Sequence, residues 1–204
     1  MTRKRRPQKQ NNCKKQANSL RIIGGQWRSR KLQLQDAEGM RPTPDRIRET
    51  LFNWVQNSVH GSRCLDLFSG SGALGLEALS RGAKDVIFVE KNKAVANQLL
   101  SNLQLLESDV NVINTDAIEY LNQYKKNSAE SFDLIFLDPP YRKGLIEEAL
   151  KLLYLKELID QNTCIYLEHE SEEDFNWSQF DLEILKETSA GQVKCLLVKS
   201  TKTY

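Results

Sequence analysis

The stretch LDLFSGSGALGL, residues 65–76, decides the fold class of this 204-residue chain. It begins as an apolar strand, turns at Gly70 and Gly72, and continues as a helix past Gly75. These glycines match the G-x-G-x-x-G pattern, which lets a backbone turn tightly and approach a bound ligand. The pattern fits a dinucleotide or another adenosine compound, and Gly75 could serve only the packing of the helix against the sheet.

Strand-like and helix-like segments alternate after this turn, which is typical of a parallel sheet with helices on both faces. The predicted strands are Cys64–Phe68, Val86–Glu90, Val110–Asn114, Phe132–Leu137 and Cys164–Glu168. Helices are predicted up to Arg81, up to Leu106, from Ala117 onward and over Leu145–Leu158. No helix separates the last two segments, which predict an antiparallel hairpin at one sheet edge, Asp181–Thr188 and Gln192–Lys199.

An N-terminal extension precedes the α/β segment. Residues 20–34 alternate in part around a Gly24-Gly25 break and predict a short β-hairpin. Residues 41–55 predict an amphipathic helix with Thr43 as its N-cap and Pro44 at the first helical position. The apolar face of this helix consists of Ile47, Leu51, Phe52 and Val55.

We therefore predict three parts: a disordered basic arm (1–18), the hairpin-and-helix extension (19–58) and an α/β domain (59–204). The α/β domain is expected to be Rossmann-like, with a mostly parallel seven-stranded sheet that ends in a C-terminal antiparallel hairpin. Each predicted strand is short and apolar, as the buried strands of a parallel sheet are.

Charge is distributed unevenly along the chain. Residues 1–35 hold 11 of the 29 Lys and Arg residues and no acid, so 18 basic residues face all 27 acidic ones in the remainder, a net charge of −9. A basic arm on an acidic body is typical of proteins that bind a polyanion. For residues 1–18, a solvated tail that keeps the protein soluble is an equally good interpretation.

Several classes of protein are excluded by composition. No apolar run approaches the length of a membrane span, and polar residues follow the basic N-terminus where a secretory signal would have an apolar segment. We therefore expect a cytoplasmic protein with no membrane partner, and a monomer by default. No metal site or disulfide framework is expected, because His60 and His169 lack ligand spacing and no close pair occurs among Cys13, Cys64, Cys164 and Cys195.

Acidic residues follow the predicted strands at the sheet edge where ligands of such folds bind. Asp66 lies four residues before Gly70 and favours a ligand with a cationic part, such as S-adenosylmethionine, over an anionic pyrophosphate; it could instead bond local backbone amides. Glu90 lies 20 residues after Gly70, where an acid accepts hydrogen bonds from ribose hydroxyls. Asp116 could contact an adenine amino group, but its spacing better fits the N-cap of the next helix.

The fourth predicted strand stops at Asp138-Pro-Pro-Tyr141, because proline has no N–H to donate to a sheet ladder. We predict that Asp138, Pro139, Pro140 and Tyr141 are catalytic. The Asp side chain and a proline carbonyl can accept both hydrogens of an exocyclic amino group, and the tyrosine ring can stack on a base. Such positioning needs no strong base to promote transfer of an electrophilic methyl group. The alternative is a purely structural turn.

Together with DLFSGSG (66–72), the DPPY sequence resembles methyltransferases that act on amino groups of bases. The chain resembles the bacterial RsmD family over roughly residues 20–200, through three further stretches: RIIGGQWRSRKL (21–32), RPTPDRIRETLFNW (41–54) and GALGLEALSR (72–81). The resemblance implies a Rossmann-like methyltransferase fold that methylates the exocyclic N2 of one guanine in 16S ribosomal RNA. It also implies S-adenosylmethionine as donor, S-adenosylhomocysteine as product, and an assembled or partly assembled small ribosomal subunit as substrate.

The same resemblance assigns roles to individual residues. The expected cofactor-binding set is Asp66, Phe68, Gly70, Gly72, Glu90, Lys91, Asp116 and Ala117. The expected RNA-binding set, in an extension that helps to grip RNA through phosphate contacts, is Arg21, Trp27, Arg28, Arg30, Lys31, Arg41 and Arg46. Trp27 could instead pack within the hairpin, and the last two arginines could form surface ion pairs.

Three other functions remain open from the residues alone. DPPY suits any exocyclic amine, so the chain could methylate adenine N6 in DNA or RNA. A nicotinamide oxidoreductase is disfavoured by Asp66 and by the lack of a catalytic His or Tyr–Lys pair at a plausible spacing. A non-catalytic RNA-binding assembly factor with the same fold is the third alternative.

The charge of the arm gives a testable prediction. Deleting residues 1–18 should weaken RNA binding mainly at low salt, because each phosphate contact that is lost no longer releases counterions. The measurement is the RNA dissociation constant of the full chain and the truncated chain across a salt series. An unchanged salt slope would return the arm to the role of an inert tail.

Overall fold

The computed structural model describes residues 19–35, 43–125, 131–140, 144–171 and 179–201. Within these ranges the chain forms nine strands and five helices. The strands are β1 (Ser19–Arg21), β2 (Lys31–Gln33), β3 (Arg63–Asp66), β4 (Asp85–Val89), β5 (Val112–Ile113), β6 (Leu134–Leu137), β7 (Cys164–Glu170), β8 (Leu182–Ala190) and β9 (Val193–Ser200). The helices are α1 (Asp45–Trp54), α2 (Ala73–Ser80), α3 (Lys93–Leu105), α4 (Ala117–Gln123) and α5 (Leu145–Leu155).

The main sheet has seven strands in the order β5-β4-β3-β6-β7-β9-β8. Strands β3 to β7 pair in parallel, and β9 runs antiparallel to both β7 and β8. The predicted α/β, Rossmann-like fold with a C-terminal antiparallel hairpin is therefore confirmed. Because β3 has β4 on one side and β6 on the other, the chain reverses its direction of winding there, which is the ligand-binding position of open α/β sheets.

Helices cover both faces of this sheet. On one face, Phe52 of α1, Leu76 of α2 and Leu99 of α3 pack in a core with Phe88 and Phe136 of the strands. On the other face, helices α4 and α5 pack on strand residues of opposite parity, including Leu65, Ile135 and Leu167. Alternate side chains of each strand therefore enter different cores, which explains why strand β6 is apolar at every position.

Strands β1 and β2 form the predicted N-terminal hairpin, which is a separate two-stranded antiparallel sheet. Its inward-facing Leu20, Ile22 and Leu32 are buried in the same core as helices α1 and α2. The division between the extension (19–58) and the α/β domain (59–204) stays a prediction. The described residues on its two sides share one hydrophobic core.

A buried carboxylate joins the hairpin to the α/β layer. Glu77 of α2 is fully buried and accepts the backbone N–H groups of Ile23 and Gly24 at 2.9 and 2.8 Å. Its two oxygens also face the guanidinium groups of Arg48, at 3.5 Å, and Arg81, at 2.8 Å. The hydrogen bonds and charges together satisfy a carboxylate that would be costly to bury alone.

Arg48 extends this network into helix α1. Its guanidinium is fully buried and donates to the Arg21 carbonyl at 2.9 Å and to Asp45 at 2.7 Å, besides its contact with Glu77. Because one arginine bonds the hairpin, its own helix and α2, these three elements have a fixed relative position.

The start of helix α1 differs from the sequence-based prediction. Helix α1 begins at Asp45, Pro44 occupies the N-cap position, and no side chain caps the first turn. The Pro44 carbonyl accepts the N–H groups of Ile47 and Arg48. The predicted cap, Thr43, instead bonds a carboxylate of the main sheet, and this tertiary contact explains why it does not cap the helix.

Gly25 gives a prediction about how the hairpin docks. Its φ is +75°, and a Cβ added there would collide with the Ser80 carbonyl at the end of α2. Gly25→Ala should therefore destabilise the protein by roughly 2 kcal/mol or more, from backbone strain and overpacking together. Denaturant unfolding measures the change.

Gly61 provides the matched control, because its φ is also +75° and a Cβ added there would meet no atom within 4 Å. Gly61→Ala should lower the free energy of unfolding by about 1 kcal/mol, from backbone strain alone. Equal losses in the two variants would contradict the close contact between the hairpin and α2.

Candidate active site

The candidate site lies at the carboxyl ends of strands β3, β4, β6 and β7. Four carboxylates belong to this edge: Asp66 ends β3, Glu90 follows β4, Asp138 follows β6, and Glu168 lies near the end of β7. Parallel strands bring these positions to one side of the sheet. The edge is therefore rich in acceptors of hydrogen bonds and in negative charge.

The glycine turn after β3 has the backbone conformation that only glycine adopts readily. Gly70 has φ +49° and Gly72 has φ +77°, and Gly72 is the N-cap residue of α2. Ser69 links the turn to β4, since its N–H donates to the Val89 carbonyl and its hydroxyl accepts the Val89 N–H. The turn is thus hydrogen-bonded directly to the sheet.

Gly75 serves helix–sheet packing, one of the two interpretations that the sequence allowed. A Cβ at this position would collide with the ring of Phe88 and approach Asp66 Oδ2 at 3.0 Å. Its N–H donates to that same oxygen at 3.0 Å. The third glycine of the pattern therefore lets α2 approach the sheet closely.

Asp66 is a buried carboxyl group, 3% exposed. Burial raises its pKa from 3.8 to about 7, the Gly75 N–H lowers it, and the Glu90 carboxylate raises it further. Among the described residues no Lys or Arg forms an ion pair with it. This is an environment in which a cationic ligand would favour the ionised form.

Glu90 accepts two backbone N–H groups, Gly70 at Oε2 (2.8 Å) and Asn92 at Oε1 (2.6 Å). A carboxylate has about four acceptor positions, so each oxygen retains one for a further donor. The side chain is thereby oriented and still able to accept a pair of hydroxyl groups.

Asp116 is the N-cap of α4, as its spacing indicated: its Oδ1 accepts the N–H groups of Ile118 and Glu119. Its Oδ2 forms an ion pair with Lys91 at 2.9 Å, and this exposed pair holds the pKa of Asp116 below its usual range. Ala117 is buried at the first position of α4, and Phe68 is half-buried against the α4 and α5 core. The contact of Asp116 with adenine stays a prediction.

Asp138 is half-buried, directly after β6, with Pro139 buried and Pro140 exposed. The hydroxyl of Thr43 donates to its Oδ2 at 3.2 Å. Burial raises the pKa of Asp138 well above its ordinary range, and the Glu168 and Asp66 carboxylates raise it further. Tyr141, the predicted stacking residue, lies outside the described residues.

Three side chains around Asp138 were not assigned to the site from the sequence: Thr43, Tyr166 and Glu168. Glu168 is 4% exposed and accepts the Tyr166 hydroxyl at 2.7 Å. Burial raises the pKa of Glu168 against the hydrogen bonds from Tyr166 and Thr43. Glu168 could have been predicted, because acids at the ends of parallel strands face the ligand edge. No sequence pattern places Thr43 at this edge.

The candidate RNA-binding residues are mostly at the surface. Five of them are exposed: Arg21, Arg28, Arg30, Lys31 and Arg46. Trp27 is partly buried and packs against the core, as the alternative interpretation expected. Arg41 lies outside the described residues. The arginine that α1 buries is Arg48, one turn before Phe52 on the apolar face, and helical spacing could have indicated it.

Within the ranges that the structure describes, the His, Cys, Asp and Glu side chains form no group of three or more that could hold a metal ion. In the same parts of the chain, no helix is long and apolar enough to cross a membrane.

Comparison with known sequences places the chain among bacterial relatives. A family profile described as "Conserved hypothetical protein 95" matches residues 20–199. The Ribosomal RNA small subunit methyltransferase D of Haemophilus influenzae is 44% identical over 188 residues, covering 89% of this chain and 94% of that protein. The protein of the same name from Escherichia coli K12 is 43% identical over 175 residues, covering 85% and 86%.

Solved structures give the same result. A candidate methyltransferase of Escherichia coli, yhhF, superposes with a TM-score of 0.80 at 40% identity, covering 90% of this chain and 98% of that one. A candidate methylase of Haemophilus influenzae has a TM-score of 0.78 at 40% identity, covering 91% and 100%. A further methyltransferase candidate, solved in complex with SAH, shares only the fold, at 19% identity, covering 83% of this chain and 53% of that one, with a TM-score of 0.60.

The profile covers most of the chain, and these relatives match it over nearly their whole length at more than 40% identity. The fold, the glycine turn and the strand-end carboxylates agree with the expectation from the sequence. The chain belongs to the RsmD family.

Proposed function

We propose that this chain transfers a methyl group from S-adenosylmethionine to the exocyclic N2 of a guanine in the RNA of the small ribosomal subunit. The observation that carries the proposal is the position of Asp138. It ends a fully buried central strand, β6, next to the strand that leads into the glycine turn. A carboxyl group held there can bind an amino group beside a cofactor seated on that turn.

The names of the relatives support the class of substrate. The two proteins at 43–44% identity are both named as methyltransferases of small-subunit ribosomal RNA. An S-adenosylmethionine-dependent ribosomal RNA methyltransferase is the function that these names and the fold support together. The choice of guanine N2 over adenine N6 rests on the family resemblance.

The residues at the sheet edge fit S-adenosylmethionine. Asp66 is a buried carboxyl group without a Lys or Arg ion pair among the described residues, which suits the ammonium group of the cofactor. Glu90 retains two acceptor positions for two ribose hydroxyls. The turn of Gly70 and Gly72 presents backbone close to the ligand, and the remaining predicted contacts are Phe68, Lys91, Asp116 and Ala117.

When bound, the cofactor supplies an electrophilic methyl group on a sulfonium. Asp138 and a carbonyl of Pro139 or Pro140 accept the two hydrogens of the base amine and so direct its nitrogen lone pair. Tyr141 is the proposed stacking surface for the base, worth roughly 1–3 kcal/mol. The contribution of these residues is chiefly orientation, which can lower a barrier by several kcal/mol.

The exposed cations of the hairpin and α1 are proposed to bind RNA phosphates. Arg21, Arg28 and Lys31 are exposed, and the hairpin that carries them is fixed to α2 by Glu77. Arg30 also donates to the Leu105 carbonyl at 3.0 Å, which joins the hairpin to the end of α3. A fixed cationic surface would position RNA without reading its sequence.

The first test is transfer of a labelled methyl group from S-adenosylmethionine to partly assembled small subunits and to naked ribosomal RNA, both from cells that lack the enzyme. Nucleoside analysis should find N2-methylguanosine at one site. N6-methyladenosine would instead support the adenine alternative. Failure of both acceptors, with the cofactor demonstrably bound, would point to a non-catalytic RNA-binding role.

Asp138→Ala should lower the transfer rate at least about a hundredfold, because the amine loses its orienting acceptor, while cofactor affinity stays within a few-fold. Asp133→Asn is the matched control: Asp133 is an exposed acid at the opposite end of the same strand and accepts the Arg63 N–H. The control should keep normal transfer. Normal turnover by Asp138→Ala would contradict the proposal that DPPY orients the acceptor amine.

Asp66 gives a prediction about pH. Its pKa of about 7 in the folded protein exceeds 3.8, so the folded state binds the extra proton and stability falls as pH rises from about 4 to 7. In the ligand-free protein, Asp66→Asn should flatten this decline by on the order of 1 kcal/mol per pH unit. Urea unfolding between pH 5 and 8 measures both slopes. Parallel curves would show that Asp66 does not titrate in this range.

A further inference from the structure

Asp138 has a second carboxyl group directly beside it, on the neighbouring strand. Leu137 of β6 pairs with Leu167 of β7 in parallel register, so Asp138 and Glu168 are the next residues along their strands. Adjacent strands lie about 4.8 Å apart, and paired positions project from the same face of a sheet. The two side chains therefore leave the sheet together, on the face covered by α1.

A hydroxyl group lies beside the two carboxyl groups. Thr43 is 7% exposed and donates to Asp138 Oδ2 at 3.2 Å. The same hydroxyl lowers the pKa of Glu168. On its other side, Glu168 accepts the Tyr166 hydroxyl at 2.7 Å.

The groups around this pair disfavour two negative charges. Asp138 is flanked by Asp66 on β3 and by Glu168 on β7, while Tyr166 on β7 and Cys195 on β9 face Glu168. No Lys or Arg of the described ranges forms an ion pair with either carboxyl group. Burial raises the pKa of both acids, and the Glu168 carboxylate raises the pKa of Asp138 further.

We propose that Thr43 and Glu168 are positioning residues for Asp138: Thr43 stabilises its carboxylate, the neighbouring Glu168 carboxylate opposes that charge, and Asp138 accepts one proton from the acceptor amine. The proposal rests on the proposed function of the site.

Protons and electrons balance in the proposed transfer, because Asp138 takes the proton that the amine loses. The nitrogen of the base forms a bond to the methyl carbon as the carbon–sulfur bond breaks, and the electron pair of that bond stays on sulfur as a neutral thioether. The nitrogen loses one proton to Asp138. The carboxyl pair thereby changes from two negative charges to one, and Asp138 returns the proton to water after the product leaves.

The test compares Glu168→Gln and Thr43→Val with the wild type in single-turnover methyl transfer across pH. Glu168→Gln removes the repelling charge, so the acid limb of the profile should move down by about one pH unit. Thr43→Val removes a donor to the ionised form of Asp138, so the limb should move up. Thr43→Ser keeps the hydroxyl and should restore the wild-type profile.

A purely structural role would change the rate in both variants without moving the limb in opposite directions. Profiles that coincide with the wild type, or that shift the same way, would overturn the pair. Thermal unfolding and the affinity for S-adenosylhomocysteine verify that each variant is folded and binds cofactor.

A readout that needs no reaction separates this inference from the proposed function. Carbon-13 NMR titration of the labelled Asp and Glu carboxyl groups should show Asp138 and Glu168 titrating in two coupled steps in the wild type, and Asp138 in one lower step in Glu168→Gln. Independent single titrations would overturn the pair whatever the enzyme methylates. Coupled titration without transfer to any ribosomal RNA would instead overturn the proposed function alone.

Discussion

The buried carboxylate of Glu77 is the interaction on which the site geometry depends. Its two oxygens bind backbone N–H groups of the hairpin and the guanidinium groups of Arg48 and Arg81. Removing Arg48, the fully buried cation, would leave part of this buried charge unpaired, a cost of several kcal/mol. Since helix α1 is held through Arg48, the segment just before that helix is held as well, and this segment carries Thr43 to Asp138. The extension that presents cations at the surface therefore also completes the site.

The carboxyl edge of the sheet concentrates acids that have few cations near them. Asp66, Asp138 and Glu168 all have raised pKa values, and burial is the largest cause for each. A negatively charged edge suits a cofactor with an ammonium and a sulfonium, and it repels a pyrophosphate. The same edge would repel RNA phosphates, so binding of RNA depends on cations elsewhere. We propose that the exposed basic residues on the hairpin supply them, which would give a physical reason for the separation of basic and acidic regions along the chain.

Local patterns identified most of the fold. Local sequence patterns predict three features of the fold, because each depends on residues close in sequence: the G-x-G-x-x-G turn, the alternation of strands and helices, and the final hairpin. Boundaries were less accurate where tertiary pairing decides them: β5 has only Val112 and Ile113, and α5 ends at Leu155 where the prediction continued to Leu158. Leu158 is buried beyond the helix, which explains why its apolar character extended the helical pattern.

The sequence by itself determined the class of fold, the glycine turn, the acids at the strand ends and the Asp138 motif, because each is a short pattern with a local physical meaning. Only the tertiary structure decided the partners. Threonine is a residue type that often caps helices. Thr43 instead bonds an acid 95 positions away, because Pro44 takes the N-cap position and the core holds α1 against β6. From the sequence alone, Glu77 looks like a surface acid in an otherwise apolar helix. In the folded chain it is buried under the hairpin. Such contacts join residues far apart in sequence, and no local pattern encodes which distant groups will meet.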